Sequence, residues 1–184
     1  MTQIVPSDLI QRMDHKVVMR TLSLLMFLTV VGCTTKQPLT DAPKNQLPTE
    51  ASNALHNATT FELFSLDPNQ RDQKPGVDMF HGWKILGSVE VSDSATRNTL
   101  LNALDAGIAE NDGTVAACFE PRHGIRVEYD GKQHDFVICF QCYSGKWYTD
   151  GKESEGYTLT DSPKPVFDRV LQAASVQLTP PPPD

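Results

Sequence analysis

The chain predicts an α+β domain: an antiparallel sheet of about five strands with two helices packed on one face. Three observations lead there. Alternating apolar residues flank the tight-turn pair Asp130-Gly131, the pattern of a hairpin. Two stretches, Leu100–Ile108 and Val166–Ala174, repeat apolar residues at helical spacing. The elements run strand, strand, helix, strand, strand, strand, helix, an order that suits hairpin-linked strands covered by helices. No internal repeat is evident.

The first strand is Phe61–Leu66, stopped by Asp67-Pro68. Residues 69–78 are polar and contain Pro75-Gly76, so they read as a loop. Trp83–Val91 is the second strand, with Val89 and Val91 alternating against Ser88 and Glu90. Ser92 or Ser94 is placed to cap a helix whose apolar positions are Leu100, Leu101, Leu104 and Ile108. Gly113, after Asn111-Asp112, is its expected stop. Gly107 inside the pattern either ends the helix early or lets a neighbour approach closely.

The core hairpin spans Cys118 to Tyr148. Ile125, Val127 and Tyr129 alternate with polar residues on one arm, and Phe136, Ile138 and Phe140 on the other. A two-residue turn at Asp130-Gly131 pairs Tyr129 with Lys132, Ile125 with Phe136 and His123 with Ile138. Both apolar sets then share one face. A further strand is expected at Tyr157–Thr160. In the last helix Ser162 is placed to cap, Pro163 suits the first turn, and Val166, Phe167, Val170, Leu171 and Ala174 form an apolar stripe. Pro180–Pro183 forms an extended tail.

Upstream of the domain the composition changes. Residues 34–60 are rich in Thr, Pro, Asn, Gln and Ala, and are expected to form a flexible tether. The competing reading is an arm packed on the domain with a short helix at Glu50–Ala58. The expected organisation is therefore a leader at 1–32, a tether at 33–60, a globular domain at 61–178 and a proline-rich tail at 179–184.

The leader carries the clearest motif. Lys16 and Arg20 precede the apolar run Thr21–Val31, which closes on Val30-Val31-Gly32-Cys33. From Thr21 to Gly32 a helix would cover about 18 Å, short of the roughly 30 Å of a bilayer core. A basic region, a short apolar run and a small residue before the cut have the layout of an export signal. This stretch resembles a bacterial lipoprotein signal peptide ending in a lipobox. The resemblance implies cleavage before Cys33, lipidation of Cys33 and anchoring to a bilayer through its acyl chains. Pro6 and the length ahead of Arg20 suggest that translation starts at Met13 or Met19. Thr34 after the lipidated cysteine is not the aspartate that tends to retain lipoproteins at the inner membrane, so the resemblance favours the outer membrane, facing the periplasm.

Removing the leader leaves 152 residues, enough for one domain with a core. Three of the 16 basic and two of the 23 acidic residues fall before Cys33, which leaves 13 and 21, a net charge of −8. That balance argues against nucleic-acid binding and against electrostatic docking on anionic lipid. The expected partners are the lipid bilayer, through acylated Cys33, and another envelope protein.

Three cysteines remain: Cys118, Cys139 and Cys142. With Phe119, Glu120, Pro121, Arg122, His123 and Gly124 they form the one constellation that could carry chemistry. A disulfide is the favoured reading. Pro121 favours a bulge, which shifts the register so that Cys118 lies opposite Cys142 and leaves Cys139 free. Inside a regular strand Cys139 and Cys142 point to opposite faces. A zinc centre of Cys118, His123, Cys139 and Cys142 has the right ligand types, but a Cys-x-x-Cys pair normally needs a knuckle turn. A cysteine nucleophile with His123 as base is the weakest signal, because any Cys and His in a chain allow it. Arg122 and Arg126 read as a solvated strand face, paired with Glu120, Glu128 or Asp135. No cofactor motif is evident.

The Cys-Phe-x-Pro-Arg-His-Gly segment, followed by an Ile-Cys-Phe-x-Cys strand, resembles a small domain of uncharacterised bacterial lipoproteins over roughly residues 80–175. It implies export and a compact α+β domain, and brings no activity. The expectation is an envelope lipoprotein acting as a non-catalytic binding or structural module. The alternative is an envelope enzyme or thiol-redox or zinc protein built on Cys118, His123, Cys139 and Cys142.

Overall fold

The computed structural model describes residues 45–69 and 76–179. Cys33, the apolar run before it and the tail from Pro180 lie outside these residues. The α+β class and the antiparallel sheet are as expected. Among the described residues the sheet has seven strands, not five, and three helices accompany it, not two.

The described chain opens on α1 (Thr49–His56). Ala51, Ala54 and Leu55 sit at helical spacing and are fully buried, with Leu47 packed beside them. They belong to the same core as the sheet. Arg97 fixes the end of this segment by donating to the carbonyls of Ala58, at 3.0 Å, and Val91, at 3.2 Å. Residues 45–60 are thus an integral arm of the domain, not part of a tether. Few large apolar residues mark the stretch, because two of its three buried helical positions are alanines whose backbone approaches the sheet closely.

β1 (Thr60–Asp67) is an interior strand, between β3 (Trp83–Glu90) and β4 (His123–Tyr129). Both neighbours run antiparallel to it. β3 and β4 are therefore parallel to each other, a relation that requires a crossover rather than a hairpin. α2 (Ser94–Glu110) supplies it. The cap of α2 is Asp93, between the two serines expected to serve: its Oδ2 accepts from the Thr96 backbone N–H and hydroxyl, both at 2.7 Å. Gly107 does not end the helix. A Cβ there would lie 2.5 Å from Pro163 Cγ, and its carbonyl accepts from the Thr160 N–H at 2.8 Å, so the glycine is a contact point for the loop that leads into the last helix.

The β4–β5 hairpin, with β5 at Lys132–Cys139, has the expected register. Asp130 and Gly131 have φ of 50° and 72°, as a two-residue hairpin turn demands. Two strands were not anticipated as separate elements. β2 (Met79–Phe80) folds back on β3 through His81-Gly82, and β6 (Ser144–Thr149) pairs with β5 after a short turn. β7 (Lys152–Thr158) begins earlier than the expected 157–160 strand and forms one edge of the sheet. α3 (Lys164–Ala173) is preceded by Pro163, and no side chain caps it. Ser162, the expected cap, instead donates to Glu110 Oε2 at 2.9 Å.

Alternation divides the sheet into two apolar faces. Phe61, Leu63, Ile125, Phe136 and Ile138 join the three helices in the main core. Phe64, Leu66 and Val137 join Phe80 and Trp83, which the β2–β3 hairpin folds over the other face. A leucine buried as fully as Leu55 is worth about 2–5 kcal/mol against alanine. Leu55→Ala is therefore expected to lower the free energy of urea unfolding by about that amount. A substitution in a solvated tether would leave the midpoint where it is, so an unchanged curve would remove α1 from the core.

Candidate functional site

The cysteines meet at the end of β5. The strand stops at Cys139, and residues 140–143 turn, with Tyr143 at φ 54°. The Cys142 N–H donates to the Cys139 carbonyl at 3.2 Å. This turn removes the obstacle that a regular strand would impose. The Cα atoms of Cys139 and Cys142 lie 5.1 Å apart, and the two are disulfide-bonded. The bond is thus Cys139–Cys142 and not the expected Cys118–Cys142.

Cys118 nevertheless arrives where the register argument placed it, opposite Cys142. It belongs to no strand: residues 111–122 form an irregular segment, tied to the turn by the Ala116 N–H donating to the Cys142 carbonyl at 3.0 Å. The Cys118 Sγ lies 3.3 Å from Cys142 Sγ. Cys118 is exposed and free, whereas Cys139 and Cys142 are buried. The Glu120 N–H donates to Cys142 Sγ, also at 3.3 Å. Arg122 is held by Gln141 Oε1 at 2.7 Å, which fastens the segment to the turn. Beside Cys118 runs an open, mainly apolar groove of about 410 Å³, lined by Val115, Phe119 and Tyr157 and flanked by Lys146 and Glu153.

His123 is not part of this cluster. It pairs with Ile138, so its side chain shares that residue's face, and Cys139 is on the opposite one. Its Nε2 donates to Asp168 Oδ1 at 2.8 Å, and Lys164 Nζ holds the other oxygen of that carboxylate at 2.5 Å. Its ring lies edge-on to Phe140 and Phe167. Burial pushes the His123 pKa below the ordinary histidine range, against the pull of Asp168. The imidazole is therefore neutral. Burial pushes the Asp168 carboxyl up, but the His123 and Lys164 hydrogen bonds outweigh it and leave the group ionised.

The zinc set Cys118, His123, Cys139 and Cys142 is not brought together. Two of its thiols are joined, and the imidazole lies across the sheet. Among the described residues no group of three or more His, Cys, Asp or Glu side chains converges as metal ligands would. Ser65, His123 and Asp168 do form a serine–histidine–carboxylate series. Ser65 Oγ and His123 Nδ1 are buried without protein partners. They line a cavity of about 20 Å³, the volume of one water and far too small for a substrate.

A second polar cluster, on the other face, escaped the sequence reading. Asp135 is buried and accepts from Arg126 at 2.8 and 2.9 Å, from Gln133 Nε2 at 3.0 Å and from His81 Nε2 at 2.7 Å. Burial raises its carboxyl, yet the Arg126 and His81 bonds hold it below the usual range. Arg126 also lies over the rings of Phe64 and Phe80, at 5.6 and 5.1 Å from their centroids. The Arg126–Asp135 pairing was among those anticipated; His81, 54 residues upstream of Asp135, carried no signal.

Comparison of the chain with protein-family models, curated proteins and solved structures found no match.

His123 sets a pH dependence. Its folded-state pKa is lower than its unfolded value near 6.5, so the folded state binds fewer protons. The stability this neutral ring supports is whole above that value and is lost as pH falls below it. Unfolding free energy is expected to drop between pH about 7.5 and 5, and to drop less steeply in His123→Gln. Equal slopes in urea titrations of the two proteins would show that the ring is not held neutral.

Proposed function

We propose that the chain is an envelope lipoprotein, anchored by acylated Cys33, whose domain faces the periplasm and serves as a non-catalytic binding or structural module. The observation that carries this reading is the Cys139–Cys142 disulfide in a chain whose leader resembles an export signal. Disulfides persist in oxidising compartments, and an export signal leads to one. The two features are independent, one lying in the leader and the other in the folded domain. Several acyl chains, at about 0.8 kcal/mol per buried methylene, hold a protein on a bilayer without help from its charge. That suits a domain as acidic as this one.

The binding role is favoured over a hydrolytic one by the state of His123. Its Nε2–H is taken by Asp168, the cavity beside it admits no substrate, and Cys139 lies on the opposite face. The apolar groove beside Cys118, of about 410 Å³, is the surface on which another envelope protein would bear. A net charge of −8 on residues 33–184 makes nucleic acid an unsuitable partner.

Growth of expressing cells in labelled fatty acid tests the anchor. The wild-type protein is expected to carry label and to fractionate with membranes; Cys33→Ser is expected to carry none and to be released in soluble form. Incorporation of label by Cys33→Ser would overturn the lipoprotein reading.

A further inference from the structure

Three sulfurs meet at one end of the sheet: buried Cys139, bonded to buried Cys142, and exposed Cys118 at 3.3 Å from Cys142 Sγ. Atoms about to react are typically about 3–3.5 Å apart. A thiolate at that distance from a disulfide sulfur is placed for exchange, which proceeds by attack of one sulfur on another. We propose that Cys118, Cys139 and Cys142 form a thiol–disulfide exchange site, in which one disulfide passes between the Cys139–Cys142 and Cys118–Cys142 pairs and thereby exposes or conceals a thiol in the adjoining groove.

The step balances within the protein. Cys118 gives its proton to solvent, and its thiolate attacks Cys142 Sγ. The Cys118–Cys142 bond forms as the Cys139–Cys142 bond breaks. Cys139 leaves as a thiolate and takes up a proton. One disulfide and one thiol are present before and after, so no oxidant or reductant enters. Cys142 is the pivot because it alone is close to both partners. Two contacts keep it in place: the Glu120 N–H on its sulfur and the Ala116 N–H on its carbonyl.

The two isomers differ in what they show to solvent. With Cys139–Cys142 closed, the Cys118 thiol lines an apolar groove of about 410 Å³. There it can attack an external disulfide, of small or aromatic type, forming a mixed disulfide on Cys118 and releasing the other half as a thiol. With Cys118–Cys142 closed, the remaining thiol is that of Cys139, which is 1% exposed and out of reach. This inference needs neither the lipid anchor nor a binding role; it rests on the three sulfurs and the groove.

The test is cysteine mapping on the full-length chain. The protein is held in mildly alkaline buffer without added oxidant or reductant, quenched in acid, alkylated, digested and analysed by mass spectrometry. Both bridges are expected, each with its complementary free thiol, and one thiol per molecule throughout among Cys118, Cys139 and Cys142, any alkylation of Cys33 being scored separately. Alkylation of the folded protein before the quench is expected to drain the mixture to a single species, Cys139–Cys142 bridged with Cys118 modified, since only the exposed thiol is open to reagent. Cys118→Ser is expected to show Cys139–Cys142 alone and to lose native alkylation. Cys139→Ser has two thiols at the site, Cys118 and Cys142, and no disulfide to exchange; given oxidised glutathione as the two-electron oxidant, it is expected to close Cys118–Cys142 with release of two glutathione thiols. A single bridge of either kind, unchanged through the incubation, would overturn the proposal. So would failure of Cys139→Ser to form its bridge while it unfolds at the wild-type urea midpoint. Both results would leave Cys33 labelling untouched, so failure here is distinguishable from failure of the anchor.

Discussion

The register of the β4–β5 hairpin is the constraint on which the rest depends. Asp130 and Gly131 adopt the positive φ values of a two-residue turn, and the pairing that follows runs without interruption from Tyr129–Lys132 to His123–Ile138. Because side chains alternate, a slip of one residue would send Phe136 and Ile138 to the wrong face. The same alternation assigns the chemistry. His123 is fixed on the helix face by its pairing with Ile138, and Cys139 is fixed on the other by being next to it. No loop movement at the strand end can bring them together. The separation of imidazole from thiol is thus a consequence of core packing.

Both faces of the central strands are apolar, and each carries one ionised group that must be compensated. On the helix face the neutral ring of His123 and the ammonium of Lys164 satisfy Asp168. On the other, Arg126, Gln133 and His81 surround Asp135. Asp135 is buried while the Arg126 side chain is 35% exposed, so removing that partner strands a charge but costs less than the roughly 3–5 kcal/mol of a fully buried pair. These clusters have the residue types of active sites, but their hydrogen bonds are spent within the protein. They tie α3 to β4, and the β2–β3 hairpin to β5. Their work is registration of elements, and the cavity beside His123 and Asp168 holds no more than one water.

The parts of the fold legible in the sequence are those set by local rules. The turn at Asp130-Gly131, the stripe of α2 and the stripe of α3 each depend on residues within a turn or two of one another. The parts missed depend on remote ones. α1 has a weak pattern, for its buried face is alanine and only the sheet makes that face valuable. β2 is two residues long, and becomes a strand only when His81-Gly82 folds it onto β3 and Phe80 finds Phe64, with ring centroids 4.6 Å apart. The Asp93 cap was missed for a plainer reason: aspartate caps as well as serine, and serines flank it. At the candidate site, Cys118 does come close to Cys142, but through an irregular segment and not through the strand bulge expected at Pro121. The Cys139–Cys142 bond was not legible, because it requires the strand to end at Cys139, and the apolar pattern through Phe140 gave no sign of that.

The count of cysteines then has a structural meaning. Three sulfurs within one turn and one loop cannot all be paired, and burial selects which one is left out. Cys139 and Cys142 sit inside the turn, away from solvent; Cys118 sits on an irregular segment at the rim of a groove. Packing alone would favour leaving the exposed cysteine unpaired, and that is the arrangement observed. Proximity acts against permanence, since the excluded sulfur is 3.3 Å from the pivot and held there by backbone hydrogen bonds from both sides of the loop. A purely structural disulfide gains nothing from a third cysteine at that distance, because it adds a competing bond of similar geometry. A site in which a thiol is to be alternately presented and withdrawn needs that third sulfur, and needs it on the solvent side.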